Sequence, residues 1–416
     1  METGTNVITL RSWADAREAF RHRDLRQGLY DEGRDLMEHV IVNLHGPAHT
    51  SRRRLENRLF RRETFFLYER DVIPRTIERM LAPRRAEGVA DLVPLARRIM
   101  MSLATDIAGV DRAHEAEDFE VLYDQMFRLA RASTVLHSLG DKQAVIDDGN
   151  AALAEFDERF FSPSMERRVE LLEAFDRGEV PEDALPPDVL LTLLRNQDRL
   201  ELSRDVVLRE VAYYPWVGSH STSNAFVHAI HHVFDWLQER PEDRELLLGD
   251  PFVLQRFVHE SLRLHPASPV SRRFAMADVT LAGGVEIPEG CLVEIDLVSA
   301  NRDAELFGDR AHEFDPDRFI PEESTPWGLT FGTGLHACLG MELAGGLAPR
   351  MAHDSAGDMR ADGHLFGAIT VMAHTLLSQG ALRDPQRPPQ RDSHTTRPNW
   401  GAYTVVFPSV PNYQPS

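Results

Sequence analysis

The chain has 416 residues, 42% of them hydrophobic, and a net charge of −20 from 46 basic and 66 acidic side chains. That is apolar material for one large domain, or two tightly packed ones, and so acidic a balance excludes nucleic acid as the main partner. Two cysteines, Cys291 and Cys338, exclude a disulfide framework and a zinc site built on several thiolates, and they fit a reducing cytoplasm.

The first ten residues carry neither a basic n-region nor a long apolar run, so no signal peptide and no membrane anchor are expected. Val7–Leu10 reads as a strand and residues 14–20 as a helix. Residues 49–59 form a strongly basic helical pattern with Arg52, Arg53, Arg54 and Arg58, followed by Arg61 and Arg62. Helical patterns continue from about 64 to 161, and residues 162–188, with Pro181, Pro186 and Pro187, read as loop. A long helix is expected from a Ser203 cap to about Gln238, bent locally by Pro215. Another helix covers about 250–264 and stops before Pro266. Between 279 and 297, Gly283-Gly284 and Ile287-Pro-Glu-Gly290 punctuate strands and a hairpin. A helix begins near Met341, is interrupted by Gly345-Gly346 and Pro349, and resumes near 364–377; residues 403–407 close the pattern as a strand. The class is mainly α with small peripheral sheets.

The most specific run is 331–340, Phe-Gly-Thr-Gly-Leu-His-Ala-Cys-Leu-Gly. A thiolate that binds a large cofactor needs close backbone approach, which glycine permits. It also needs N–H groups and a helix N-terminus to stabilise its charge. A structural cysteine in a glycine-rich turn is the plainer alternative. The run resembles the haem-binding signature of cytochrome P450 monooxygenases, with Phe331, Gly332, Gly334, His336, Cys338 and Gly340 on its fixed positions. The resemblance spans about residues 7–408. It implies a single cytochrome P450 domain over 1–416, a helical core around haem b, and Cys338 as the axial ligand of the haem iron, with Phe331 and Gly332 in the cofactor loop.

Glu260-Ser-Leu-Arg263 puts opposite charges three residues apart on one helical face, where a solvated surface pair is the common outcome. The resemblance joins the pair to Arg318, in Asp-Pro-Asp-Arg-Phe, as a brace for the core. His49 and Arg53 share a helical face, and the plain reading is a solvated basic helix. The resemblance assigns both, with Arg273 and His336, to the haem propionates. It assigns the remaining arginines of the basic helix to a surface that receives an acidic ferredoxin or flavodoxin.

The chain departs from the family in its long helix. There, Val217-Gly-Ser-His-Ser-Thr-Ser-Asn224 stands where members usually carry an acid–threonine pair that delivers protons during oxygen activation. His220 replaces the acid and Ser221 the threonine; histidine relays protons near neutral pH and serine keeps the hydroxyl. Packing, or capping of a helix distortion, is the alternative for His220. Tyr213, Trp216, Val217 and His220 fall on one face, which the family turns toward haem and substrate. These side chains then form part of the substrate pocket, for a compact or flat molecule or one offering hydrogen-bond acceptors; core packing is the rival for both aromatics. Residues 22–45, 125–190 and 269–272 are expected to shape the rest. His228 and His232 have metal-ligand spacing but no third ligand, so no metal site is expected there. His49 comes early, which implies a short N-terminal lead-in, and residues 346–362 look like an insertion that reshapes the electron-donor surface.

The expected function is a soluble, cytoplasmic monooxygenase that inserts one oxygen atom from O2 into a small organic substrate. Electrons would come from NAD(P)H through separate redox partners, ferredoxin or flavodoxin with a reductase. Two alternatives stand: haem-thiolate chemistry driven by peroxide or by rearrangement or dehydration, and a non-catalytic haem sensor.

Overall fold

The computed structural model describes residues 6–348 and 363–408. At its centre lies one helix, Arg204–Glu239, of 36 residues. Ser203 starts it by accepting a hydrogen bond from the Val206 N–H at 3.3 Å. It runs unbroken through Pro215, whose carbonyl accepts from Ser219 Oγ at 2.6 Å. The helix Leu92–Ala108 lies along it, capped by Asp91 and ended by Gly109 in the left-handed region. Gly218 lets the two approach: a Cβ there would stand 3.1 Å from the Ala104 methyl.

Helix dominates, and the sheets are small and peripheral. A four-stranded sheet runs Val7–Leu10, Leu292–Asp296, Val270–Ala275, Leu25–Gln27 in spatial order, the first pair parallel and the others antiparallel. A three-stranded sheet joins Val89–Asp91, Thr404–Val406 and Leu382–Arg383. Two short hairpins complete the set, Val279–Thr280 with Glu286–Ile287 and Gln390–Arg391 with Trp400–Ala402.

One expectation fails. Residues 162–188 are not all loop, because Ser162–Asp176 is a helix. Pro163 sits in its first turn, where the missing N–H costs nothing, and the three later prolines fall beyond its end. The break at Gly345-Gly346 is a packing device. The short helix Met341–Gly345 ends there, and Gly346 crosses Gly367 so closely that a Cβ on Gly367 would meet the Gly346 nitrogen at 2.3 Å. Gln255 and His259 hold the crossing through the carbonyls of Gly345 and Leu365. Pro349 and most of the expected insertion lie outside the described residues.

The basic helix, Gly46–Glu56, is stitched to the long helix by buried polar groups. Arg52 pairs with Glu210 at 2.7 Å, Glu210 also accepts the Ile41 N–H, and Tyr214 donates to Glu56. Burial raises both carboxyls, Glu56 to about 7.

The histidines on the long helix go to packing. His228 stacks on His265 with ring centroids 4.4 Å apart, and His232 stacks on Phe314 at 4.3 Å. Burial, then neighbouring charges, pushes them down, His228 to about 3, His232 to about 4 and His265 to about 2. They are neutral in the fold and protonate only on unfolding. Stability is therefore full above the unfolded value near 6.5 and falls as pH drops below it, by up to about 1.4 kcal/mol per pH unit for each ring. The Glu56 and Glu210 carboxyls act with the opposite sign but are outnumbered by depressed histidines, His137 and His259 included. Melting temperature followed by circular dichroism should drop steadily from pH 6.5 to 4.5; a flat or rising profile would contradict this.

Candidate active site

The loop that carries Cys338 is held from behind by one buried guanidinium. Arg263, on the helix Pro251–Leu264, donates from Nε and Nη2 to the two oxygens of Glu260, both at 2.7 Å. Its Nη1 donates to the carbonyls of Asn301 and Ala311 at 2.6 and 2.7 Å. Arg318 Nε joins the same carboxylate at 3.0 Å, as does the Asp315 N–H at 3.1 Å. Asn301 carries the brace forward by accepting the Leu329 N–H and donating to Thr330 Oγ1, whose hydroxyl donates to the Leu262 carbonyl.

Phe331 follows Thr330, its ring edge-on to Trp327 and its carbonyl accepting the Cys338 N–H at 2.9 Å. That bond closes the loop. Gly332 and Gly334 turn it with φ of 64° and 75°, and a Cβ on Gly334 would stand 3.2 Å from the Phe20 carbonyl oxygen. Cys338 is accessible to solvent yet ringed by protein, at the floor of a concavity. A cleft of about 370 Å³ reaches it between Arg53, Asn57 and Phe60 on one side and Met341 and Glu342 on the other. Burial raises its thiol, while the Gly340 N–H and the Arg53 guanidinium pull it back toward the thiolate.

At one edge, four donors converge. The His49 and His336 rings stack with centroids 4.0 Å apart. Arg53 Nη2 donates to the Ala337 carbonyl at 2.5 Å. Arg273 points inward from its strand and meets Gln27 Oε1 at 2.5 Å and Ser271 Oγ at 3.1 Å. No carboxylate pairs with Arg53 or Arg273 among the described residues, and both nitrogens of the buried His49 ring lack a partner. Burial takes Arg273 down to about 10. Burial, then Arg53 and His45, lowers His49 to about 4; burial, then His49, Arg273 and Arg53, lowers His336 to about 3.

Across from the sulfur stand the aromatic side chains. Tyr213 meets Trp216 edge-on at 5.3 Å, and Tyr30 meets the same indole at 6.4 Å. Burial raises both phenols, and Cys338 is close enough to raise them further. Val217 packs beside them, and its carbonyl accepts from Ser221 Oγ at 2.8 Å. His220 is held well below its usual value by burial, then by Arg97 and Arg397. The long helix thus brings Tyr213 and Trp216 into contact, with Val217, His220 and Ser221 following on the next turn.

Several residues here carried no readable signal in the sequence. Asn301, Arg97, His137 and Arg397 belong to no motif, and Tyr30 was placed only by its segment. One expectation about the basic helix needs correcting. Arg52 faces inward to Glu210 and Arg62 pairs with Glu342, so the arginines left exposed there, and unpaired among the described residues, are Arg54, Arg58 and Arg61.

Known proteins match this arrangement. The cytochrome P450 family model matches residues 249–345, which hold the brace and the cysteine loop. The vitamin D(3) 25-hydroxylase of Pseudonocardia autotrophica is 30% identical over 351 residues, 81% of this chain and 77% of that protein. The chain belongs to the cytochrome P450 family. Among solved P450 structures, that of CYP109E1 from Bacillus megaterium in complex with testosterone superposes with a TM-score of 0.73 at 18% identity, covering 96% of this chain and 92% of the other. CalO2 gives 0.69 at 21% identity, covering 96% and 90%.

The protein is therefore a cytochrome P450 monooxygenase, an enzyme with a haem cofactor. Its residues fit that group. A thiol at the floor of a concavity is a soft ligand for iron, and a donor set without carboxylates suits a dianionic edge. The brace can be tested directly. Glu260→Gln leaves Arg263 and Arg318 buried without a counter-charge, which costs about 3–5 kcal/mol. Calorimetry should show a large drop in melting temperature, with haem content falling alongside; an unchanged thermogram would mean the brace carries little.

Proposed function

We propose that this cytochrome P450 uses haem b to insert one atom of O2 into a small organic substrate, with electrons passed from NAD(P)H by a separate ferredoxin or flavodoxin and its reductase. The observation that carries the reading is the placement of Cys338 in a braced loop, within electrostatic reach of Tyr213 on the long helix.

Cys338 is the residue to ligate the iron, and His49, Arg53, Arg273 and His336 are the ones to hold the propionates. When bound, the haem supplies oxygen activation, which thiolate donation favours. The chain supplies the rest. Braced from behind, the loop holds its sulfur without flexing. Tyr213, Trp216 and Val217 exclude water and orient the substrate. Ser221 keeps its hydroxyl proton on the Val217 carbonyl, leaving the oxygen's lone pairs free to accept. His220, neutral because of its burial, cannot store a proton; it relays one by accepting at one ring nitrogen and releasing from the other.

Ser221→Ala and His220→Ala test the assignment. Each should lower product formation about tenfold or more while raising the peroxide released per NAD(P)H consumed. No change in peroxide yield would favour the rival, chemistry on the same haem that never activates O2. The donor surface makes a separate prediction. Arg54, Arg58 and Arg61 are exposed on, or just after, the helix whose Arg53 and Asn57 line the cleft that leads to the sulfur, and in a chain of net charge −20 they are the local attraction for an acidic partner. Arg58→Glu with Arg61→Glu should slow reduction by a ferredoxin about tenfold at low salt, the gap narrowing as salt rises. Stopped-flow reduction kinetics would show it, and equal rates would place the donor elsewhere.

A further inference from the structure

A second group of cations lies inside the molecule, away from the four donors at the haem edge. Arg397 belongs to the tip of the hairpin Gln390–Arg391/Trp400–Ala402. That tip is docked: the Thr396 N–H donates to the His137 carbonyl at 2.8 Å, the Leu139 N–H to the His394 carbonyl at 3.1 Å, and Ser138 bridges Thr395. The Arg397 N–H is fixed on Thr395 Oγ1 at 3.2 Å. Its guanidinium has no hydrogen bond or ion pair among the described residues, and its Nε is buried without a partner. The same holds for Arg97 Nε, whose guanidinium lies 5.1 Å from the centre of the Phe127 ring. His137 Nε2 is a third buried polar atom without a partner.

These groups surround the distal side of the site. Arg397 acts on His220, His137 and Tyr30, and Arg97 acts on His220. Tyr30 in turn lies within electrostatic reach of Cys338 and touches Trp216. The haem-edge donors, by contrast, act on one another: Arg53 and His45 on His49, and His49, Arg273 and Arg53 on His336. Arg397 is absent from that set. Among the described residues, the only acidic group acting on it is the Tyr30 phenol, which is protonated at neutral pH.

A guanidinium enclosed without an anion is costly, and a substrate that brings one relieves the cost on binding. We infer that the substrate is an organic carboxylate, its acid group paired with Arg397 beside His220 and Arg97, and its apolar body laid against Tyr30 and Trp216. Planar, forked donors suit a carboxylate, and the aromatic walls suit an apolar or aromatic body. Arg397 is a specificity-determining residue in this reading, which rests on the proposed function.

The test uses the haem-loaded full chain and a series of ω-imidazolyl alkanoic acids of increasing length, each with its carboxamide. The imidazole binds iron and shifts the Soret band, so dissociation constants come from spectral titration without turnover. At one chain length or more, the acid should bind at least about tenfold tighter than its amide, since hydrogen bonds to charged groups are the strong ones. Arg397→Gln should bring the pair within about twofold by weakening the acid alone, and Arg397→Lys should keep part of the preference. Equal affinities for acid and amide at every length would overturn the inference, as would an acid preference that survives Arg397→Gln. If Arg397→Gln instead strips haem while the preference persists, Arg397 belongs to the propionates and the inference fails. Loss of the carbon-monoxide difference band in the parent protein would sink the haem-thiolate reading itself, a separate result.

Discussion

The structure around the sulfur depends on one side chain that no solvent reaches. Arg263 has five N–H groups, and each finds an acceptor: two on Glu260, then the carbonyls of Asn301, Ala311 and Glu313. Those acceptors come from three separate stretches of chain, around 260, 301 and 311–313. A buried charge is tolerable only when paired and fully hydrogen-bonded, so the segments can satisfy Arg263 in one arrangement alone. Asn301, fixed in that arrangement, then sets Leu329 and Thr330, and the cysteine loop starts from a defined point.

A second principle organises the charge. The protein as a whole is strongly acidic, yet around its site stand cations that lack carboxylate partners among the described residues. Arg53 and Arg273 gather with two histidines at one edge, and Arg397 with Arg97 near His220. Acidic side chains sit mostly outside, paired with surface arginines such as Arg128 and Arg204. The result is a negative exterior around a group of desolvated cations.

Much of this could be read from the chain because it rests on local rules. Ser203 capping a periodic run, Glu260 and Arg263 one turn apart, and glycines around Cys338 each declare their geometry within a few residues. What escaped reading depends on long-range meeting. Arg52 shares the basic pattern of Arg54 and Arg58, and only the approach of Glu210, 158 residues away, turns it inward. Asn301 and Arg397 acquire meaning only once remote strands and turns are docked. The helix Ser162–Asp176 was hidden by prolines that follow it, since composition averaged over a window blurs a boundary.

The crossing of Gly346 and Gly367 has an evolutionary side. Just beyond it, the Leu347 N–H donates to the Leu365 carbonyl at 2.8 Å, so the chain departs and returns at a single closed gate. No side chain fits at either crossing position, since a Cβ on Gly346 would meet the Leu365 carbonyl oxygen at 2.5 Å and one on Gly367 the Gly346 nitrogen at 2.3 Å. Substitution at one of the two glycines is therefore open to evolution only where both backbones move apart together.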